Sequence, residues 1–275
     1  MAAVKNNLID ELSRKAKDYR RQLLTALHKA GTGHPGGSLS AMDILIALYE
    51  CVLRVDPARP QWDDRDRFVL SKGQTSPALY VVLANKGFFP KSELDSLRKT
   101  GNLLQGSVDI KVPGVELSSG SLGQGLSIGV GMALGGKYLH KDFRVCVMLG
   151  DGESQEGQIW EAAMAGSHFK LDNLAAILDY NKLQGDGPVN ETMNLEPLKA
   201  RWESFGWHVI EIDGHDFNQI LAAFETAKGT KGKPTFIIAH TIKGKGVSYM
   251  ENSQPWHGSK VPNSEELRQA LLELA

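Results

Sequence analysis

Val147-Met-Leu-Gly-Asp-Gly152, followed further along by Leu178-Asp-Tyr-Asn181, is the pair of segments on which the fold turns. Each is a short apolar run ending in a polar residue, and Glu156 to Phe169 between them has helical spacing, so together they predict one βαβ unit. Its two strands would be parallel with both carboxyl edges on one rim, the rim where open α/β sheets bind ligands. Asp151 and Asn181 would then stand side by side, offering a carboxylate and an amide oxygen to a hard cation. Gly150 and Gly152 are expected to let the chain turn sharply around the metal, and the helix beyond to present N–H groups and a positive dipole end to phosphate. The competing reading makes Asp151 a plain N-cap; its pairing with Asn181 across the edge favours the cation site.

Working outward, Arg67-Phe-Val-Leu-Ser, Arg144-Val-Cys-Val-Met-Leu, Leu174-Ala-Ala-Ile-Leu-Asp, Trp207-His-Val-Ile-Glu-Ile and Thr235-Phe-Ile-Ile-Ala-His read as strands apolar enough to be buried on both faces. Helical patterns separate or flank them: Leu8 to Ala30, a second helix beginning near Ser40, Leu122 to Tyr138, Glu156 to Phe169, Phe217 to Lys228 and Ser264 to Ala275. Alternating strands and helices imply a doubly wound α/β fold, a mostly parallel sheet with helices on both faces. No long repeat, low-complexity tract or Pro/Ser linker interrupts it, so residues 1–275 are expected to form one domain.

Composition narrows the function classes. With 31 Lys+Arg against 32 Asp+Glu and no basic block, nucleic acid is not an expected partner. Met1 to Asp10 lacks the marks of a secretory signal, and two cysteines are too few for a disulfide framework, so the expected compartment is the cytoplasm. Leu117 to Gly136 is uncharged and long enough to span a membrane, yet its seven glycines, four serines and one glutamine make it too polar. It reads instead as a soluble helix in which Gly125 and Gly129 permit close backbone approach. The run serves packing alone, or Gly120 and Leu122 at its mouth are small and apolar so that a flat ring can lie against the backbone.

Two familiar patterns fail on context. Gly31-Thr-Gly-His-Pro-Gly36 follows a helix instead of a strand, against a nicotinamide site, and no strand feeds Gly125-Leu-Ser-Ile-Gly129, against a nucleophile elbow. Of the eight histidines, His34 in its Gly/Pro loop and His257 in Gln254-Pro-Trp-His-Gly258 lie on irregular backbone of the kind that carries chemistry. Lys243, between a strand and Gly244, is placed to reach a phosphate or to be a solvated basic turn.

Gly150-Asp-Gly with Asn181 is similar to the thiamine diphosphate signature. With Thr32-Gly-His-Pro-Gly36, Asp66-Arg-Phe-Val-Leu-Ser-Lys-Gly73, Gly120-Ser-Leu-Gly-Gln-Gly125 and Trp256-His-Gly258, the chain resembles the N-terminal portion of transketolase over nearly its whole length. The resemblance implies that Asp151, Asn181 and the carbonyl of Leu183 hold magnesium or calcium on the cofactor diphosphate. It implies that Gly152, His34, Lys243 and His257 line the diphosphate and thiazolium, that Gly120 and Leu122 touch the aminopyrimidine, and that Glu156 faces acidic residues of a partner across a dimer interface. The reaction implied is transfer of a two-carbon ketol unit from a ketose to an aldose, with His34 and His257 as proton shuttles and hydroxyl ligands.

Two departures concern the cofactor and donor pocket. Transketolases usually read Ser-x-Gly-His where this chain has Ser71-Lys-Gly-Gln74, and a Gly-His-Pro loop where it has Gln105-Gly-Ser-Val-Asp109. Gln74 can hydrogen-bond but not shuttle a proton, and Ser107 is shorter than histidine, so altered donor specificity or rate is expected. Full-length transketolases continue into a pyrimidine-binding domain and a third domain, so the chain reads as one subunit of a split enzyme, an α2β2 heterotetramer with a separate C-terminal subunit. The alternatives are half of another thiamine diphosphate enzyme, of the deoxyxylulose-phosphate synthase or 2-oxo acid type, and a non-catalytic cofactor-binding subunit.

Overall fold

The computed structural model describes residues 2–258 and 260–275, with side chains from residue 7 onward. Its sheet is built from β1 (Arg67–Leu70), β2 (Val145–Gly150), β3 (Leu174–Tyr180), β6 (His208–Asp213) and β7 (Thr235–His240); a hairpin of β4 (Leu183–Gln184) and β5 (Gly187–Pro188) stands apart. The strand order is β1-β2-β3-β7-β6, and every neighbouring pair is parallel. Gly150 pairs with Asp179, so Asp151 and Asn181 leave the sheet together at one edge.

The helices are α1 (Ala2–Ala30), α2 (Pro35–Ala47), α3 (Ser76–Lys86), α4 (Gln124–Tyr138), α5 (Gly157–His168), α6 (Val189–Thr192), α7 (Leu198–Ser204), α8 (Phe217–Gly229) and α9 (Ser264–Glu273). Side-chain alternation along the strands sends successive residues to opposite layers. From β2, Val145, Val147 and Leu149 pack with Leu126 of α4, Ile159 of α5 and Trp202 of α7, whereas Cys146 and Met148 join Leu24, Leu45, Val82 and Phe224 on the other side. Each large apolar side chain so buried contributes roughly 1.5–3 kcal/mol. Trp202 lies flat on Phe236 of β7, ring centroids 3.6 Å apart, and closes the first layer.

Most boundaries fall within a residue or two of expectation. α1 begins at Ala2 and not at Leu8, and two further differences have physical causes. α2 begins at Pro35 and not near Ser40, because proline at the first helical position has its φ already set and lacks only an N–H that would go unused. α3 has no counterpart in the periodic reading: Ser76 through Ala84 are all buried, so it shows no polar face. In α4 the glycines act as expected, since a Cβ on Gly125 would lie 2.3 Å from Ser71 Oγ and one on Gly129 2.4 Å from Val147 Cγ2. Among the described residues no helix is long and apolar enough to cross a membrane.

Candidate active site

The segments that leave the carboxyl ends of β1, β2, β3 and β7 line one cleft of about 280 Å³. Lys72, Gln74 and Thr75 come from the first, Asp151, Gly152, Glu153, Gln155 and Glu156 from the second, Asn181 and Leu183 from the third and Lys243 from the fourth, with His34, Leu122 and His257 closing the walls. A parallel sheet makes this convergence unavoidable, because all its carboxyl ends share a rim.

Beyond β2 the chain enters a 3₁₀ turn (Gly152–Gln155) instead of running straight into α5. Neither Gly150 nor Gly152 has positive φ, so the expected glycine-dependent reversal is not what they provide. Gly152 leaves room instead: a Cβ there would stand 3.0 Å from Gln184 Cβ, which would have to give by a few tenths of an ångström. The turn folds Glu153 back under the cleft, where its carboxylate accepts from Gly150 N (3.0 Å), Gly123 N (2.9 Å) and Ser71 Oγ. One buried acid thus ties together the end of β2, the end of β1 and the mouth of α4. Burial raises its carboxyl above the usual range despite these donors.

Asp151 Oδ2 accepts from Lys182 N at 2.6 Å and Oδ1 from Gly152 N at 2.9 Å, so it both starts the turn and reaches across to the strand beyond β3. Asn181 Oδ1 accepts from Leu183 N at 3.2 Å, and the Leu183 carbonyl from Lys243 Nζ at 2.7 Å. Asp151 is 4% exposed, and burial pushes its carboxyl up to about 6 even though the Lys243 ammonium pulls the other way. Burial also lowers Lys243, to about 8, and the His257 imidazole, to about 4, the latter assisted by Lys243. A neutral imidazole facing an ammonium accepts, so Lys243 Nζ donates to His257 Nδ1 at 2.8 Å and the ring proton sits on Nε2. His34 meets His257 edge to face at 6.0 Å, is lowered by burial and by nearby cations, and has a buried Nδ1 with no partner among the described residues. A Cβ on Gly258 would lie 2.5 Å from the His34 ring, so only glycine fits beside it.

Sequence reasoning did not single out Lys72 and Asp179. Lys72 pairs with Asp179 of β3, which also accepts from Ser40 and Thr241 hydroxyls. Burial alone would raise Asp179, yet Lys72 and the two hydroxyls hold it below the ordinary range. The only sequence signal was the polar residue inside the apolar run Leu174–Tyr180.

Of the expected site residues, His34, Gln74, Leu122, Asp151, Gly152, Glu156, Asn181, Leu183, Lys243 and His257 share the cleft, and Gly120 does not line it. Gly120 lies against Ser107, whose Oγ would be 3.1 Å from a Cβ there, and Ser107 itself is outside the cleft wall. Glu156 is exposed at the lip.

The residues present suit a diphosphate carried on a divalent cation. No trio of His, Cys, Asp or Glu among the described residues makes a metal site, but one carboxylate, one amide oxygen and one peptide carbonyl form a donor set for a hard cation that keeps positions open for phosphate. The Lys243 ammonium and the His257 imidazole supply the complementary polar wall, and His34 Nδ1 and Thr75 Oγ1 are buried without partners among the described residues.

The family model for the thiamine diphosphate binding domain of transketolase matches residues 12–272. The chain is 45% identical over 267 residues to a subunit of the apulose-4-phosphate transketolase of Phocaeicola vulgatus, covering 97% of this chain and 95% of that one. It is 46% identical over 265 residues to the 6-deoxy-6-sulfo-D-fructose transketolase subunit SqwG of a Clostridium species, covering 96% of each. A transketolase structure from Leishmania mexicana superposes with a TM-score of 0.91 at 28% identity, over 96% of this chain but only 41% of that one.

Proposed function

The chain belongs to the transketolase family of thiamine diphosphate-binding domains, and from that premise we propose that residues 1–275 act as the diphosphate-binding subunit of a split transketolase. The enzyme transfers a two-carbon ketol unit from a ketose phosphate to an aldose phosphate in the cytoplasm. Support for a separate partner comes from the two relatives of matching length, both named as subunits; the partner would be a C-terminal subunit with the pyrimidine-binding and third domains, joined as α2β2. The observation that carries the reading is the meeting of Asp151, Asn181 and the Leu183 carbonyl with Lys243 between two neutral histidines.

In this reading Asp151, Asn181 and Leu183 O hold magnesium, or calcium, on the diphosphate, and Lys243 and Gly152 face its oxygens. Leu122 lies against the aminopyrimidine, and Glu156 at the lip meets acidic residues of the partner. Gly120, exposed beside Leu122, would touch the aminopyrimidine with it. When bound, thiamine diphosphate supplies the electron sink for breaking the C2–C3 bond of the ketose. His257 presents Nε2–H to the sugar hydroxyls with His34 beside it, and both are neutral at pH 7, the state in which an imidazole can give and take a proton.

Gln74 supports a second, narrower reading. It lines the cleft where transketolases usually carry histidine, so donor selection is shifted to a ketose whose hydroxyl is held by an amide. The two relatives carry different sugars in their names, in keeping with a pocket that varies.

The test is reconstitution. The chain and a C-terminal transketolase subunit are assayed apart and mixed, with thiamine diphosphate and Mg2+, against ketose phosphates and pyruvate. Ketol transfer only in the mixture is expected; turnover by the chain alone, or carbon dioxide release from pyruvate, overturns the reading.

A further inference from the structure

A buried polar chain runs from α1 to the turn that carries Lys243. Arg20 on α1 grips Asp43 on α2 with Nη1 to Oδ1 at 2.8 Å and Nη2 to Oδ2 at 2.7 Å, and Nη2 also donates to the Leu39 carbonyl. Asp43 Oδ2 meets His215 Nδ1 at 2.6 Å, and His215 Nε2 meets the peptide nitrogen of Ile242 at 2.9 Å. Arg20, Asp43 and His215 side chains are 6, 5 and 11% exposed.

The chemistry at each end fixes the imidazole between them. Burial would raise Asp43, but Arg20 and His215 hold it at about 2, so it is an anion and only accepts. A peptide N–H only donates. His215 must therefore be neutral with its proton on Nδ1, using both nitrogens at once.

Ile242 precedes Lys243 in a tight turn: Gly244 has φ +81, and a Cβ on it would lie 2.2 Å from the Met250 carbonyl oxygen. The turn is otherwise tied by Thr241 Oγ1 to Asp179, Thr241 N to Tyr180 O (3.2 Å), Lys245 N to Ile242 O (3.1 Å), Gly244 N to Gly36 O (3.0 Å) and Asn252 N to Lys243 O (2.8 Å). None of these holds the Ile242 amide. We propose that His215 is a positioning residue for the diphosphate site, orienting the 241–244 backbone so that Lys243 Nζ stays beside His257 at the cleft. The Arg20–Asp43 pair serves to fix the tautomer this requires. The ligand side of the inference rests on reading the cleft as a thiamine diphosphate site; the geometric side does not.

His215→Gln and His215→Asn separate positioning from mere bracing. The longer glutamine keeps an acceptor within reach of Ile242, whereas asparagine keeps only the Asp43 contact; each sacrifices one buried hydrogen bond, so both should lose stability comparably. In hydrogen exchange on the ligand-free chain, amides 242–246 should open about tenfold faster in His215→Asn and stay close to wild type in His215→Gln, one hydrogen bond being worth about that factor. In calorimetry with thiamine diphosphate and Mg2+, affinity should fall about tenfold in His215→Asn and within about twofold in His215→Gln. Equal effects in the two variants, or exchange that simply follows their melting temperatures, would overturn the proposal. Should neither variant fold, 15N NMR of the wild-type imidazole decides: an imidazolium or an Nε2–H tautomer at pH 7 refutes it, and the neutral Nδ1–H form upholds it. Exchange that splits as expected without any cofactor binding by the wild type would reject the site reading while leaving the positioning role intact.

Discussion

Two glycines of α4, Gly125 and Gly131, should respond to alanine in opposite directions. Both are helical, so each Gly→Ala change gains about 0.5–1 kcal/mol from backbone entropy. At Gly131 nothing lies within 4 Å of the new methyl, so that gain stands alone. At Gly125 the methyl would sit 2.3 Å from Ser71 Oγ and 2.8 Å from Ser71 Cα. Because the second atom is backbone, no rotamer change relieves the overlap and α4 must lift from the end of β1. Overpacking of this kind costs about 1–3 kcal/mol. Lifting α4 also detaches Gly125 N from Ser71 Oγ and Gly123 N from Glu153, leaving a buried carboxylate short of one donor for roughly another 1–3 kcal/mol. The net expectation for Gly125→Ala is a loss of about 2–4 kcal/mol, or roughly 5–10 °C in Tm for a chain of this size. Gly131→Ala should rise by about 1–3 °C. Differential scanning calorimetry measures both; shifts of the same sign would show that α4 does not press on Ser71 as described.

Two further outcomes are expected. Asp43 is held at about 2 against an ordinary value near 3.9, so its contribution, on the order of 2–3 kcal/mol, is present above about pH 4 and lost as pH falls toward 2. The stability gap between wild type and Asp43→Asn in urea titrations should therefore narrow on acidification through that window, and a constant gap would contradict the Arg20 pairing. Asp151→Asn keeps the shape of the turn but removes the one carboxylate of the proposed cation set, and should weaken Mg2+-dependent thiamine diphosphate binding by at least about a hundredfold while changing Tm little; unchanged affinity in a calorimetric titration would remove Asp151 from the site.

The strands were readable because each is an apolar run of uniform character buried on both faces, and the rim site followed from parallel pairing alone. Asp151 and Asn181 could be placed together without any side-chain knowledge, since β2 and β3 run in register to Gly150 and Asp179. α3 was not readable because Ser76 to Ala84 are surrounded on every side and leave no period. The same limit hid the Lys72–Asp179 pair and the Glu153 knot: their meaning lies in burial by distant segments, and neither residue type nor local spacing records it.

The parallel sheet divides the interior into two apolar bodies that share a backbone but exchange few side chains. Volume lost beneath α4 and α5 cannot be refilled from the side of α2 and α3, because the hydrogen-bonded strands between them do not yield. Substitutions on opposite sides should therefore combine additively, those on one side should not, and each layer is free to drift in sequence without renegotiating the other. At the rim that independence ends, since residues from both layers, Ser40 from one and Gly123 from the other, are bonded there to Asp179 and Glu153.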